Sequence, residues 1–281
     1  MVTGSGIAFT LALLCAAVMG LAIQRGATCT VAAVEDLLAG GEQRRLLAIV
    51  EASLWVGVGL LVVRELIGPM ALPVGYAISG WTLAGAALLG AGALVNGACV
   101  FGAIARLGSG QWAYCATPLG FYAGCLSIGR LFAPPSPQVL AGDSPILAAP
   151  AWLVWALAAA VLLRITWSLR QRGTQAWSPH TATAVIGLTF LALVLLGGAW
   201  AYTDVLADLA RGMAQSLGER LALALAVLCG ATASGWLARS WRPTRPTASA
   251  VLRCFCGGLL MGWGSLLIPG GNDGLVLLGM P

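Results

Sequence analysis

From residue 6 onward the chain alternates long apolar runs with short polar breaks. A helix needs about 20 predominantly apolar residues to cross a bilayer. Eight runs approach or exceed that length, near 6–24, 46–63, 75–97, 112–132, 150–169, 181–201, 219–238 and 250–268. They predict eight membrane-spanning α-helices. The first run is read as a retained span and not as a cleaved leader. No basic residue precedes it, since the first arginine is Arg25, and it is long for a leader core.

Between these runs lie four stretches too short to cross and too apolar to be ordinary loops, at about 28–40, 98–108, 203–213 and 272–280. Each begins with small or polar residues ("GATC", "VNGAC", "AYTD", "PGGND") and continues for two or three helical turns. They predict re-entrant half-helices, which sit at membrane depth only where protein or water satisfies their free backbone groups. Their N-termini would carry exposed N–H groups and the positive end of a helix dipole, which suits an anion. Two half-helices entering from each side would form an hourglass with a central constriction.

Sliding the sequence along itself by 172 positions superimposes two separate regions. Asp36-Leu37 falls on Asp208-Leu209 and Gly40 on Gly212, while Gly90, Gly92, Leu94 and Gly102 fall on Gly262, Gly264, Leu266 and Gly274. The same offset maps the first half-helix onto the third and the second onto the fourth. The expected organisation is one transmembrane unit over 1–281. Repeat one covers about 1–135, a linker and an extra span 136–177, and repeat two about 178–281. Five spans precede the second copy, so the two copies would run in opposite directions, the arrangement that places a transporter site at the midplane between them.

Composition agrees with the bilayer. The chain is 59% hydrophobic and 9% charged with a mean hydropathy of +0.90, against roughly a quarter charged residues in soluble domains. All fifteen cationic residues are arginine and they scatter over span ends and loops, so the net charge of +5 predicts no nucleic-acid partner. If Arg25, Arg44, Arg45, Arg106, Arg170, Arg172, Arg239, Arg242 and Arg245 share one face, the other keeps Arg64, Arg130, Arg211 and Arg220. The richer face should be cytoplasmic, with both termini outside the cytoplasm. The segment 133–149, with four prolines, reads as an irregular external linker between the halves.

Little in the sequence supports enzyme chemistry, and no cofactor is expected. The eight cysteines include no CxxC pair; Cys254 and Cys256 form a C-x-C. Metal-site and disulfide-framework readings are correspondingly weak. The single histidine, His180, falls beside Pro179 in an expected loop and leaves no His-based triad or zinc site to build. "GSGQW" lacks the Lys-Ser/Thr of a phosphate-binding loop. The glycine pairs 90/92 and 262/264 read as close helix packing.

Candidate chemistry gathers at the half-helices. Thr28 is the expected N-cap of the first, with Cys29 in its first turn. Asn96 and Gly97 precede Cys99 at the second. Thr203 or Asp204 would cap the third, and Asn272 or Asp273 the fourth. Gly271 is the repeat partner of Cys99. Arg25 and Arg106 lie near the thiols in sequence; each is either an anion-holding group or an anchor at a span end. Asp204 and Asp273 could also serve proton or cation coupling. Glu35 and Asp36 are expected only to pair with Arg44 or Arg45. Cys15, Cys115, Cys125 and Cys229 read as small buried hydrophobes.

"GLAIQRGATCTVAAVEDLL" and "LLGAGALVNGACVFGAIARLGSGQW" resemble the YeeE/YedE sulfur-transport family of bacterial inner-membrane proteins, and "GGLLMGWGSLLIPGGNDGLVLLGMP" looks like the closing motif of one branch of it. The resemblance covers nearly the whole chain. It implies an inverted-repeat permease of the inner membrane that takes up a small inorganic sulfur anion, thiosulfate first. It also implies central cysteines that line the path and a cytoplasmic TusA-type sulfurtransferase as partner. Cys29 and Cys99 match the two first-half cysteines of that pattern. The second-half cysteine does not carry over, because Gly271 stands where it is expected. A thiol is a weak donor that can touch a soft sulfur anion without holding it tightly. The alternatives are a membrane-embedded relay that passes sulfane sulfur without bulk transport, and a non-transporting subunit that docks a soluble partner.

Overall fold

The computed structural model describes residues 6–26, 29–68, 76–132, 150–170, 177–198, 200–212 and 217–268, with the side chains of 168–170 excepted. Eleven α-helices fall within them: α1 (Gly6–Gly26), α2 (Thr30–Gly40), α3 (Arg44–Ile67), α4 (Gly80–Asn96), α5 (Val100–Gly108), α6 (Ala116–Leu131), α7 (Ala151–Arg170), α8 (Pro179–Gly197), α9 (Tyr202–Ala210), α10 (Leu217–Leu237) and α11 (Ala248–Leu267). The chain is an all-helical polytopic membrane protein. Six segments are long and apolar enough to span a bilayer, counting α1 with α2 and α4 with α5 as continuous stretches. The apolar α7 and the 16-residue α6 complete the eight predicted runs.

The outer surface explains why such helices require lipid. Leu14, Leu83, Leu94, Leu163, Trp167 and Leu225 are all exposed along the spans. In water such surface would collapse; against acyl chains it carries no penalty. Without a hydrophobic drive between helices, association relies on close approach at small residues. A Cβ on Gly20 would collide with the Val227 carbonyl, and one on Gly230 with the Ala17 carbonyl, so α1 and α10 meet backbone to backbone. Gly120, Gly124, Gly258 and Gly262 make the equivalent seam between α6 and α11.

Contacting residues fix the helix directions. Ala17 and Gly20 meet Gly230 and Val227, while Gln24 and Arg25 meet Ser234 further along, so α1 and α10 run parallel. Glu51 meets His180 and Gly59 meets Leu191, so α3 and α8 are parallel too. Gly120 faces Phe255 and Gly124 faces Gly262, making α6 and α11 parallel. Gly85 faces Gly264 whereas Asn96 faces Gly257, so α4 and α11 are antiparallel. These four directions are those of eight spans that cross alternately in chain order.

The offset of 172 also places α1 (6–26) on 178–198, α2 on 202–212, α3 on 216–239 and α4 on 252–268, within a few residues of α8, α9, α10 and α11. Helix contacts follow the same exchange. α1 packs on α10 as α3 packs on α8, α2 packs on α3 as α9 packs on α10, and the pairs α1/α8 and α4/α11 map onto themselves. The matched carboxylates behave alike: Asp36 pairs with Arg45 at 3.2 Å, and Asp208 pairs with Arg220.

His180 departs from the expected loop. It lies in the first turn of α8, where Ser178 is the N-cap, and its Nδ1 sits 2.7 Å from Glu51 Oε2. Arg164 of α7 donates to Glu51 Oε1 through Nε (3.2 Å) and Nη2 (3.0 Å). This triad pins the extra span α7 to α3 and α8.

Candidate functional site

The helices that start where a loop at the protein's surface turns inward obey the ordinary capping rule. Ser79, Ser178 and Thr247 each accept a hydrogen bond from the backbone N–H three residues on, at 3.2–3.3 Å. Of the short helices, α2 and α9 have no side-chain cap bond, and α5 has one only through a sulfur. The N-cap of α2 is Cys29, that of α5 is Cys99 and that of α9 is Ala201. The cap of α2 thus falls on Cys29, which was expected in its first turn, and neither Thr203 nor Asp204 caps α9. Cys29 has an extended backbone (φ −128°, ψ 126°), so the helix begins one residue later than expected. Asp204 lies inside the first turn of α9, where its backbone N–H donates to the Ala201 carbonyl at 3.2 Å. Thr28, Gly271, Asn272 and Asp273, and with them the fourth half-helix, lie outside the described residues.

Cys29 and Cys99 meet. The Cys99 backbone N–H donates to Cys29 Sγ at 3.4 Å, and the Gly102 N–H donates to Cys99 Sγ at 3.4 Å. Each thiol thus occupies a weak-acceptor position at the start of a half-helix, where an oxygen cap would hold the N–H groups more firmly. Gly102 makes this possible: a Cβ there would lie 2.6 Å from Cys29 Sγ and 3.1 Å from the Ala98 Cβ. Its spacing of three from Cys99 was the one sequence cue to this role.

The surroundings are apolar and buried. Cys29, Ala98, Tyr114 and Cys254 share one core cluster, against which Cys99, Val31 and Phe255 pack. Cys254 has no exposed surface. Its place beside the first-half thiols had no sequence signal beyond the C-x-C, since α11 enters the site from more than 150 residues away. A second cluster joins Val100 and Phe121 to Val31, Cys99, Tyr202 and Leu206. Tyr202 Oη donates to the Val100 carbonyl at 2.9 Å, tying the start of α9 to the start of α5. The amino ends of α2, α5 and α9 therefore converge around Cys99.

Asn96 is fully buried, and both ends of its amide are used. Nδ2 donates to the Ala98 carbonyl at 2.7 Å, and Oδ1 accepts from Thr117 Oγ1 at 2.9 Å. It braces the bend between α4 and α5, with Gly97 at φ +72° supplying the left-handed turn that an L side chain resists. Arg25 donates from Nε to Ser234 Oγ at 3.2 Å. The Arg106 guanidinium lies 5.8 Å from the centre of the Tyr114 ring and donates to Gln111 Oε1 at 3.4 Å. Both arginines belong to one polar end of the bundle. There Gln24 bonds Ser240 (2.9 Å) and Ser109 (3.4 Å), and the Arg242 and Thr244 amides bond the Ser109 and Gly110 carbonyls.

Among the described residues no group of three His, Cys, Asp or Glu side chains is arranged to hold a metal ion. A polytopic bundle whose short helices bring two cysteines to one buried junction belongs to the class of all-helical membrane proteins. The sequence carries the family with it: residues 25–281 match the model of the family described as "Sulphur transport", and the chain belongs to that family. It is a multi-pass membrane protein of sulfur transport. No curated protein matches the chain in sequence.

Proposed function

We propose that the protein takes up a small sulfur-containing anion, thiosulfate first, across the inner membrane through a constriction between two inverted repeats. The observation that carries this reading is the junction of Cys29 and Cys99 at the starts of α2 and α5, which have no oxygen cap. Weak thiol contacts at helix amino ends attract an anion without holding it, and passage needs sites that release. Thr28, Asn96, Arg25, Arg106, Gly271, Asn272 and Asp273 complete the proposed pathway. Within it Asn96 acts by holding the α4–α5 bend, and Arg25 and Arg106 act from the polar end of the bundle. The arginine-rich end, carrying Arg25, Arg106, Arg239, Arg242 and Arg245, is assigned to the cytoplasm, with both termini on the other side.

The repeat reading is supported by the four helix directions and by the exchange pattern of helix contacts, both of which a two-fold axis in the membrane plane requires. Uptake of labelled thiosulfate into proteoliposomes tests the substrate. Rapid saturable entry supports it, and entry no faster than into empty liposomes refutes it.

The nearness of the two cysteines, whose contact is the Cys99 N–H on Cys29 Sγ, favours a second reading, a sulfur relay to a cytoplasmic TusA-type sulfurtransferase. A Cys29 or Cys99 thiolate would attack the terminal sulfur of thiosulfate, forming a persulfide and releasing sulfite. Mass spectrometry of protein exposed to thiosulfate separates the two: a 32-Da addition on either cysteine favours the relay, and unmodified thiols during active uptake favour transport.

A further inference from the structure

A phenol and two guanidiniums gather at the turn between α4 and α5. Tyr114 is only 4% exposed and shares a core cluster with Cys29, Ala98 and Cys254. Its Oη lies 3.5 Å from where a Cβ on Gly97 would stand, and Arg253 Nη2 lies 4.0 Å from the same point. The Arg106 guanidinium is 5.8 Å from the centre of the Tyr114 ring. Three elements distant in sequence supply this group: α5, the short 3₁₀ turn Trp112–Cys115, and the first turns of α11. Gly97 stands two residues before Cys99, and Arg253 directly precedes Cys254, so the group borders the thiol junction on its arginine-rich side.

The three side chains lack the partners that would explain them structurally. Residues 66–142 and 220–272 contain no Asp or Glu. Among the described residues the ion pairs use Arg45, Arg164, His180 and Arg220, and neither Arg106 nor Arg253 has a carboxylate. Arg106 donates to Gln111 Oε1 at 3.4 Å, whereas Arg253 and Tyr114 Oη make no hydrogen bond with the described residues. An unpartnered hydroxyl on a side chain this buried calls for a reason. Charges within a membrane protein are costly, and they mark ion paths when no counter-charge serves them. Arg106 and Arg253 are exposed and Gly97 is partly so, which leaves the group open to an incoming ion. With φ at +72°, Gly97 also places no side chain over it.

We propose that Tyr114, Arg253 and Arg106 form an oxyanion subsite between the thiol junction and the arginine-rich end, where a small divalent anion rests as it leaves the thiols. A guanidinium presents a fork of N–H donors that fits the oxygens of a tetrahedral anion, and such charge-assisted bonds are stronger than neutral ones. The Tyr114 hydroxyl adds one neutral donor from the buried side. These groups recognise oxygens and not a thio end, so sulfate and thiosulfate should both bind. The subsite thus complements the thiols, which touch a soft sulfur weakly. Its two positive charges draw the anion onward, and its exposure lets water compete and release it.

The release role rests on the uptake reading above, but the subsite itself is tested without transport. Binding of radiolabelled sulfate to detergent-purified full-length protein is measured at constant ionic strength, with unlabelled thiosulfate as competitor. We expect saturable binding that thiosulfate displaces. Arg253→Gln and Tyr114→Phe should each weaken it by about tenfold or more, the loss of one hydrogen bond to a charged group. Without anion Tyr114→Phe should melt no lower than the wild type, because the hydroxyl removed has no partner; a lower melting point would overturn the assignment. Should Arg253→Gln fail to fold, Tyr114→Phe alone decides. Absent binding in the wild type, or unchanged binding in the variants, overturns the subsite and leaves the uptake reading standing. Displacement by short-chain phosphatidylglycerol but not by thiosulfate would make this a lipid-headgroup site and overturn it as well. In proteoliposomes the same variants should slow thiosulfate entry, and weakened binding with unchanged entry would overturn the release role. If the wild type takes up no thiosulfate, the uptake reading fails, while binding lost in the variants still supports the subsite.

Discussion

Gly102 is the position at which the account is easiest to break. Adding one methyl group as Gly102→Ala puts a carbon 2.6 Å from Cys29 Sγ and 3.1 Å from the Ala98 Cβ. Ordinary contact begins near 3.4 Å, so the thiol or the whole start of α2 must retreat by about 0.8 Å. Overpacking of this kind costs about 1–3 kcal/mol, and replacing glycine by alanine inside a helix returns up to about 1 kcal/mol. The net loss of stability is about 0–2 kcal/mol, so the protein should still assemble. The geometry suffers more: a displacement near 1 Å can cost up to about 10²-fold where groups must meet in register. We expect thiosulfate uptake to fall about tenfold, and Cys29 to react with maleimide at a changed rate. The control is Gly90→Ala, because nothing lies within 4 Å of a Cβ there; it should match the wild type. Normal uptake and unchanged thiol reactivity in Gly102→Ala, with the variant folded, would refute the idea that the Cys29–Cys99 contact sets the path.

Other consequences follow from named contacts. Thr117→Val leaves Asn96 Oδ1 buried without its donor and should destabilise the protein by about 1–3 kcal/mol, read as a lower melting point in detergent. Glu51→Gln removes the charge that holds both Arg164 bonds at Oε1 and disturbs the contact with His180 at Oε2. Because Arg164 is 39% exposed, the loss should be about 1–2 kcal/mol, below that of a fully buried pair. A double-mutant cycle with Arg164→Met should show the two changes to be non-additive, and strict additivity would contradict the ion pair. Gly230→Leu drives a side chain into the Ala17 backbone and should abolish monodisperse protein on size-exclusion chromatography.

The spans were legible in the sequence because a bilayer reads hydropathy almost directly: the runs at 46–63 and 250–268 became α3 and α11 with ends moved by a few residues. The short helices near 28–40, 98–108 and 203–213 were legible for the same reason, being apolar segments of only two or three turns. Their caps were not. The capping rule assumes an oxygen side chain at the helix start, and Ser79, Ser178 and Thr247 obey it. At the buried junction the caps are Cys29, Cys99 and Ala201, so the rule pointed to Thr28, Thr203 and Asp204 instead. Tertiary neighbours were equally hidden. Nothing local announces that Cys254 joins the cluster of Cys29, or that His180 lies against Glu51, because those contacts depend on how distant helices pack. Sequence spacing offers Asp36 either Arg44 or Arg45 as a partner, and it pairs with Arg45.

The central claim is that an anion passes the junction of Cys29 and Cys99. It is tested most directly by the initial rate of labelled thiosulfate entry into proteoliposomes holding wild-type protein, Cys29→Ala or Cys99→Ala at equal folded amounts. The account predicts saturable entry in the wild type and a fall of at least about tenfold in each variant, in keeping with two thiols that act at one place. Entry at the wild-type rate in both variants would contradict it.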